Sequence, residues 1–492
     1  MMMDTLTHLL THCEARRRSR VYEAYTQRVG RSPEPWLSAD DSGWLTADTL
    51  RDLRATLHAA EPSQKRGIRY VLRFAADEYL QGQTQALRSD LLARQQQAVV
   101  DIPAMEDSLP LWQVTTLIAS ERKRVKREII ETASTTAIDS LNRSYRALWS
   151  RLFSAIQSLG YPSPLALWEE VSGVAFDDYL KPLEAILRDT EDTYRDQMQW
   201  YLKRAFAIRL ETARRHDIVA LFGSEETAPW FPRADLIPTL EHWLSDWGWQ
   251  VADRASFRLE RHESVAGGAY CAPLHIPTDV RLALAPMAGL RGFAQALGET
   301  GKALLLVSVP ADAPIQWRCF PDPSLLEAQA DLCAGLVRAP QWLTVYRHVR
   351  QPGELLRLIH LERLFIVRRY IGKCLYERTL YEDFALDGKE EAYRDALRKA
   401  CGFAYPDAYY LHDVEPGFTT LWTVRGWLLG AHLRQQLQRQ YADEWFREPD
   451  ALEALREFWA SSPYHTVEAL TERLGGSMTD VAPVVADLLS EL

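Results

Sequence analysis

Apolar residues in the first two hundred positions recur with the 3.6-residue spacing of helices. Pro62 is a start signal for one such helix, Pro110 for a second that is predicted to run to Gly160, and Pro182 for a third. The pattern predicts a helical bundle over residues 1–225. The clearest apolar stripe has positions i, i+3, i+4, i+7 and i+11, filled by Ile68, Val71, Leu72, Ala75 and Tyr79.

The spacing of apolar residues changes between Phe257 and Pro286, where short extended segments replace the helical pattern. Ala269–Pro273 and Val280–Ala285 are predicted strands, and prolines punctuate them. Helical spacing returns from Glu354 to the C-terminal end of the sequence. A cluster of Gly and Pro after position 222 indicates a soft boundary between an N-terminal helical region, 1–225, and a C-terminal region, 226–492. The predicted fold class is mostly α with one small β-sheet.

Charge and composition exclude some partners. The chain has 57 Lys and Arg against 67 Asp and Glu, a net charge of −10, which argues against nucleic acid as a partner. Two basic runs, Arg122–Arg127 and Arg16–Arg18, are interpreted as solvated helix faces. The longest apolar run, Ala303–Val307, is too short to span a membrane, so no membrane partner is predicted.

The six cysteines are scattered and include no C-x-x-C pair, which favours reduced thiols over disulfides or a zinc ribbon. The N-terminus also lacks the basic and apolar blocks of a signal peptide. These features predict a cytoplasmic location.

The stretch Gly298-Glu299-Thr300-Gly301-Lys302 has the spacing of a zinc-peptidase helix. In H-E-x-x-H, two histidines one turn apart bind zinc and the glutamate activates the metal-bound water. Here Gly298 and Lys302 stand at the histidine positions, while Glu299 keeps the position of the base. Glu327 follows Lys302 by 327 − 302 = 25 residues, which leaves room for a second helix to supply a third ligand.

Several segments together resemble the thimet oligopeptidase and oligoendopeptidase F family of zinc metallopeptidases. The resemblance covers about 183–492 and, more weakly, the whole chain. It implies a large, mostly helical metallopeptidase-like fold with a deep peptide-binding channel and a small β-sheet beside the former metal-site helix. It also implies that the strand of Gly268, Ala269, Tyr270 and Cys271 pairs with peptides. The segments that carry the resemblance are Gly267–Pro273, Val280–Pro286, Phe293, Leu297–Leu304, Ser324–Glu327 and Asp413–Phe418.

The sequence departs from that family at the positions that perform catalysis. Both histidine ligands are absent, and Thr419 and Thr423 stand where the family has tyrosines that stabilise the oxyanion. We therefore expect a catalytically inactive pseudopeptidase without a metal cofactor, in which Glu299 is a remnant base and the channel binds a peptide or acts as a scaffold. Two alternatives stay open: an active metallo-oligopeptidase that cleaves short peptides with zinc at an atypical site, and a purely structural helical protein.

The lysine at the second ligand position suggests a replacement for the metal's charge. Clustered carboxylates in a partly buried site repel one another unless a cation lies between them. We hypothesise that the Lys302 ammonium pairs with Glu327, and also with Asp331 one helical turn further on.

Overall fold

The protein is mostly helical, as predicted. A computed structural model describes residues 2–30, 45–103, 108–223, 227–249 and 256–492, and helices account for most of these residues. The α-helices, in chain order, are α1 (Met2–Arg28), α2 (Ala47–Ala59), α3 (Pro62–Gln97), α4 (Val114–Ser120), α5 (Arg124–Ser158), α6 (Pro164–Ser172), α7 (Asp177–Asp189), α8 (Glu191–Phe206), α9 (Arg215–Leu221), α10 (Leu236–Asp246), α11 (Gly289–Val307), α12 (Ile315–Cys319), α13 (Pro323–Ala334), α14 (Pro340–Arg347), α15 (Gly353–Leu380), α16 (Lys389–Cys401), α17 (Thr419–Tyr441), α18 (Pro449–Ser461), α19 (Val467–Arg473) and α20 (Ala482–Leu489).

Two small sheets accompany the helices in the described residues. The first pairs β1 (Val99–Val100) with β2 (Leu109–Pro110) in antiparallel fashion. The second contains β3 (Phe257–Arg261), β4 (Ala269–His275) and β5 (Asp279–Leu284) in the order β3-β5-β4. β5 is the central strand, parallel to β3 and antiparallel to β4. The two predicted strands are confirmed as β4 and β5. The sequence did not predict β3 as a strand, because charged residues occupy three of its five positions.

Two predicted helix starts are wrong. Pro110 lies in β2, and the long helix expected after it is divided into α4 and α5. Between them Lys123 is extended, and its backbone N–H donates to the Glu121 carboxylate at 2.7 Å, which ends the helical ladder there. Pro182 lies inside α7, which begins five residues earlier at Asp177.

The chain forms two compact units that interleave along the sequence. Unit 1 contains 1–75, 226–356 and 422–487, and unit 2 contains 76–225, 357–421 and 488–492. The junction predicted from sequence at 225/226 involves residues outside the described ranges. In unit 1, α11 packs against β4 and β5, and α1 packs against β4. This arrangement buries most of β4, one of the two edge strands of the sheet.

Part of the first basic run is buried in unit 2. Arg127 is fully buried and pairs with the equally buried Asp217 at 2.9 Å. The same guanidinium donates to the backbone oxygens of Glu121 and Arg122, which lie just before α5. The interpretation as a solvated face therefore holds for Arg122, Lys123 and Lys126 but is wrong for Arg127. A buried cation of this kind needs a carboxylate partner and satisfied donors.

Candidate functional site

Glycines allow the helix that carries Glu299 to approach its neighbour closely. A Cβ at Gly301 would lie 2.6 Å from the Gln329 backbone oxygen and 2.8 Å from the Cys333 sulfur, both on α13. A Cβ at Gly298 would lie 3.3 Å from the Ala330 oxygen. The two glycines of the motif are thus explained by the packing of α11 against α13 within unit 1.

This close packing brings three charged side chains into one cluster. The Lys302 ammonium lies 3.0 Å from Glu299 Oε1 on its own helix and 3.2 Å from Glu327 Oε1 on α13. The three side chains are 24%, 18% and 31% exposed, so water screens the cluster only partly. Lys302 therefore pairs with Glu327, as hypothesised, and also with Glu299, which the hypothesis did not name as a partner.

The cluster fixes the charge state of its lysine. Burial alone lowers the pKa of Lys302, but the attraction of Glu299 and Glu327 outweighs burial and raises this pKa above its usual value. The ammonium is accordingly charged at neutral pH and has no lone pair with which to bind a metal.

The second hypothesised partner of Lys302 is engaged elsewhere. Asp331 is buried and lies 3.3 Å from Arg434 Nη2 and 3.8 Å from Arg338 Nη2. Arg434 also pairs with Asp487 at 2.8 Å. These groups form a network distinct from the Lys302 cluster and connect α13, α17 and α20 in unit 1.

The residues present do not fit zinc, the metal that the resemblance implies. Gly298 offers no donor atom at the first ligand position, and Lys302 offers an ammonium at the second. Among the described residues, no group of three or more His, Cys, Asp and Glu side chains is placed to hold a metal ion. Glu327 is the one ligand-type side chain at the three positions, whereas zinc requires three or four ligands.

The remnant base Glu299 has a second partner on the sheet. Its Oε2 accepts a hydrogen bond from the Cys271 backbone N–H at 2.8 Å. The Cys271 side chain is buried, and burial together with the nearby Glu299 carboxylate raises the pKa of its thiol well above the usual value. A neutral, buried thiol is a poor nucleophile, so Cys271 serves as a packing residue next to Glu299.

Other side chains bind the main chain of β4 and the turn before it. Gln295 on α11 donates to the Gly267 oxygen and, at 3.4 Å, to the Ala269 oxygen. Arg17 on α1 donates to the oxygens of Pro273 at 2.8 Å and Leu274 at 3.4 Å. The main chain that would pair with a peptide by strand addition therefore already has partners within unit 1.

Arg17 and Gln295 are site residues that the sequence analysis missed. Arg17 belongs to the second basic run and was interpreted as solvated, but its side chain is buried. A signal was available, since Cys13, Arg17, Val21 and Tyr25 are spaced by four residues and share one face of α1. Gln295 gave no comparable signal, because it depends on the contact between α11 and β4.

The remaining predicted site residues have defined places in the fold. Gly268 has φ +83° and precedes β4, where a Cβ would clash with the Met287 side chain. Ala269 is buried, and the Tyr270 ring lies 4.6 Å from the Arg28 guanidinium. Thr419 is the first residue of α17, and Thr423 lies one turn later on the same helix.

Neither a scan against models of protein families nor a search of curated proteins finds a match for this chain. Within the described residues, every helix is too short or too polar to cross a bilayer.

Proposed function

We propose that the chain is a catalytically inactive protein of the thimet oligopeptidase type, in which the Lys302 ammonium has taken the place of the metal ion. The observation that carries this proposal is the position of Lys302 between Glu299 and Glu327. In an active site of that type, the same two carboxylates serve as the base and as a zinc ligand. Here both are held by a fixed cation that cannot activate water.

The absence of nucleophile activation supports the same conclusion. A zinc ion lowers the pKa of its bound water to about 7 and leaves one coordination position open for substrate. An ammonium offers three hydrogen-bond donors and does neither. Glu299, the residue that would accept the water's proton, is engaged with Lys302 and with the Cys271 backbone N–H.

The role that remains is non-catalytic binding of an extended peptide, with β4 as the pairing strand. The chemistry is strand addition, in which the peptide exchanges hydrogen bonds with the main chain of an edge strand. Because Arg17, Gln295 and Glu299 already occupy main-chain groups there, a peptide must displace them. The expected affinity is therefore modest and increases when one of these contacts is removed.

Metal content and hydrolysis test the catalytic part of the proposal. We expect purified protein to contain no stoichiometric zinc and to leave a library of quenched fluorescent peptides uncleaved. Stoichiometric zinc together with cleavage that a chelator abolishes would show instead that the chain is an active metallo-oligopeptidase.

Peptide-binding measurements test the second part of the proposal, that β4 pairs with an extended peptide. Arg17→Ala removes the contact to the Pro273 and Leu274 oxygens, and Arg18→Ala, an exposed neighbour, is the matched control. We expect Arg17→Ala to bind labelled extended peptides several-fold more tightly than the wild type in fluorescence anisotropy. If both variants bind as the wild type does, β4 is not the pairing strand. No measurable binding by any of the three would favour a purely structural role.

A further inference from the structure

Unit 2 contains a cavity of about 390 Å³ that the proposed function does not use. This volume is at the lower end of the range for small-molecule sites. Two guanidiniums, tyrosine rings and an imidazole line it, and a tryptophan is at its rim. The residues that carry the inference are Trp112, Thr115, Arg215, Arg369, Tyr405 and Asp413.

The two arginines of the cavity are held in fixed orientations. Arg215 donates through Nε and Nη2 to both oxygens of Glu131, at 2.8 and 3.1 Å. Arg369 donates through Nη2 to both oxygens of Asp413. Arg215 Nη2 also donates to the Tyr409 hydroxyl at 3.0 Å, whereas the Nη1 groups of both arginines make no hydrogen bond to the described part of the chain. Each guanidinium therefore keeps N–H donors for a further acceptor, and planar forks of this kind suit a carboxylate.

A third cation shares the Asp413 carboxylate with Arg369. The cations are Arg215, Arg369 and Lys373, whose Nζ lies 3.7 Å from Asp413. Glu131 pairs with Arg215, Asp413 pairs with both Arg369 and Lys373, and the buried carboxyl of Glu377 also interacts electrostatically with Lys373. These cations are mostly buried, with side chains 14%, 24% and 12% exposed, and solvent screens them weakly. Because Asp413 is shared by two cations, Arg369 can take a second anionic partner.

The rim supplies an aromatic surface. Trp112 is 72% exposed and contributes its indole to the lining of the cavity. Val114 and Ile138 add buried apolar lining next to it. A ligand with a planar ring could lie against these groups while its charge reaches the guanidiniums.

We propose that this cavity binds a small aromatic carboxylate. The carboxylate lies against Arg215 and Arg369, and the ring lies against Trp112. The same chemistry is presented by a free aromatic acid and by the C-terminal aromatic residue of a peptide. The proposal is independent of the Lys302 cluster, whose side chains all belong to unit 1.

Calorimetric titration of the full chain tests the charge requirement. N-acetyl-phenylalanine and N-acetyl-phenylalaninamide carry the same ring and differ in the carboxylate. We expect the acid to bind at least about tenfold more tightly than the amide, because only the acid carries a negative charge and a separate acceptor oxygen for each guanidinium. Equal affinities, or no binding by either compound, would overturn the proposal. If N-acetyl-Gly-Gly-Phe binds as tightly as the single residue, the cavity recognises chain ends; if it binds more weakly, the ligand is a free acid.

Two surface variants place the same new charge inside and outside the site. Thr115 and Thr116 are both exposed on α4, and Thr115 lines the cavity. Thr115→Glu should weaken binding of N-acetyl-phenylalanine at least about tenfold, whereas Thr116→Glu should change it little. Trp112→Ala should weaken binding about three- to tenfold through loss of the ring contact. An equal effect of the two glutamates would refute the assignment to this cavity.

Discussion

Replacing Lys302 by methionine removes the cation from between Glu299 and Glu327 and keeps an unbranched side chain of similar length. Two carboxylates would then face each other across the α11–α13 contact. All three side chains are less than one third exposed, so the repulsion is only partly screened. We expect this variant to be clearly less stable than the wild type.

The expected loss in the free energy of unfolding follows from the two ion pairs of Lys302. Lys302 makes two charged contacts, at 3.0 and 3.2 Å. A hydrogen bond between charged groups contributes about 1.5–3 kcal/mol, and removing one partner of a buried pair costs about 3–5 kcal/mol. Partial exposure reduces these figures, so the expected loss in the free energy of unfolding is about 2–4 kcal/mol. For a unit of this size that corresponds to a fall in Tm of about 4–8 °C.

The assay is thermal unfolding followed by circular dichroism at pH 7.5, with a matched lysine as control. Lys399 lies 3.0 Å from Glu184, the same distance as in the Lys302–Glu299 pair, but the Lys399 and Glu184 side chains are 62% and 51% exposed. Exposed pairs contribute about 0–1 kcal/mol. Lys399→Met should therefore lower Tm by no more than about 2 °C.

The pH dependence has a definite sign. The pKa of Lys302 is raised in the folded state, so its stabilisation is complete below the unfolded-state pKa of about 10.4 and is lost as pH rises above that value. The difference in unfolding free energy between the wild type and Lys302→Met should stay constant from pH 7 to about 10 and become smaller at higher pH.

A further variant isolates the charge. Lys302→Met combined with Glu299→Gln and Glu327→Gln leaves no charge in the cluster, and this protein should regain part of the lost stability. Lys302 does not stabilise the α11–α13 contact if Lys302→Met unfolds at the wild-type temperature, or if Lys399→Met loses as much stability as Lys302→Met.

Three further predictions concern packing, pH and metal. Gly301→Ala should lower the free energy of unfolding in urea by about 1–3 kcal/mol, because its Cβ meets α13. The control Gly82→Ala, with open space around it in α3, should raise the free energy of unfolding by about 0.5–1 kcal/mol. Equal effects of the two substitutions would contradict the packing of α11 on α13. Glu377 is fully buried, and burial raises its pKa to about 8, so the wild type loses stability as pH rises from about 4.5 to 8. Glu377→Gln should therefore be more stable than the wild type by a few kcal/mol at pH 9 and similar to it below about pH 5. If the stability of the variant and of the wild type changes with pH in the same way, Glu377 is not a buried acid. Gly298→His with Lys302→His should gain measurable zinc affinity in calorimetry relative to Gly298→Ala with Lys302→Ala, since both carry the Cβ that presses on Ala330. Equal zinc binding by the two double variants would count against descent from a metal site.

The sequence was informative wherever the signal was local. Helical periodicity identified the mostly α class, and alternating short segments identified β4 and β5. It failed at two proline signals and at one basic residue whose partner is distant in the sequence. Pro110 and Pro182 are strong helix-start signals, yet one lies in a strand and the other inside a helix. Arg127 looked like part of a solvated run because its partner, Asp217, is 90 residues away in sequence.

For the candidate site, the sequence by itself determined which residues stand at the motif positions and that a lysine replaces a ligand. Both Glu327 and Asp331 were available to Lys302, since they lie one turn apart on the same helix. Only the tertiary structure decided between them: the packing of α11 on α13 placed Glu327 beside Lys302, while Asp331 pairs with Arg434. The bonds of Arg17 and Gln295 to the main chain around β4 were likewise decided by packing, because contacts between distant segments depend on how whole elements pack rather than on local residue order.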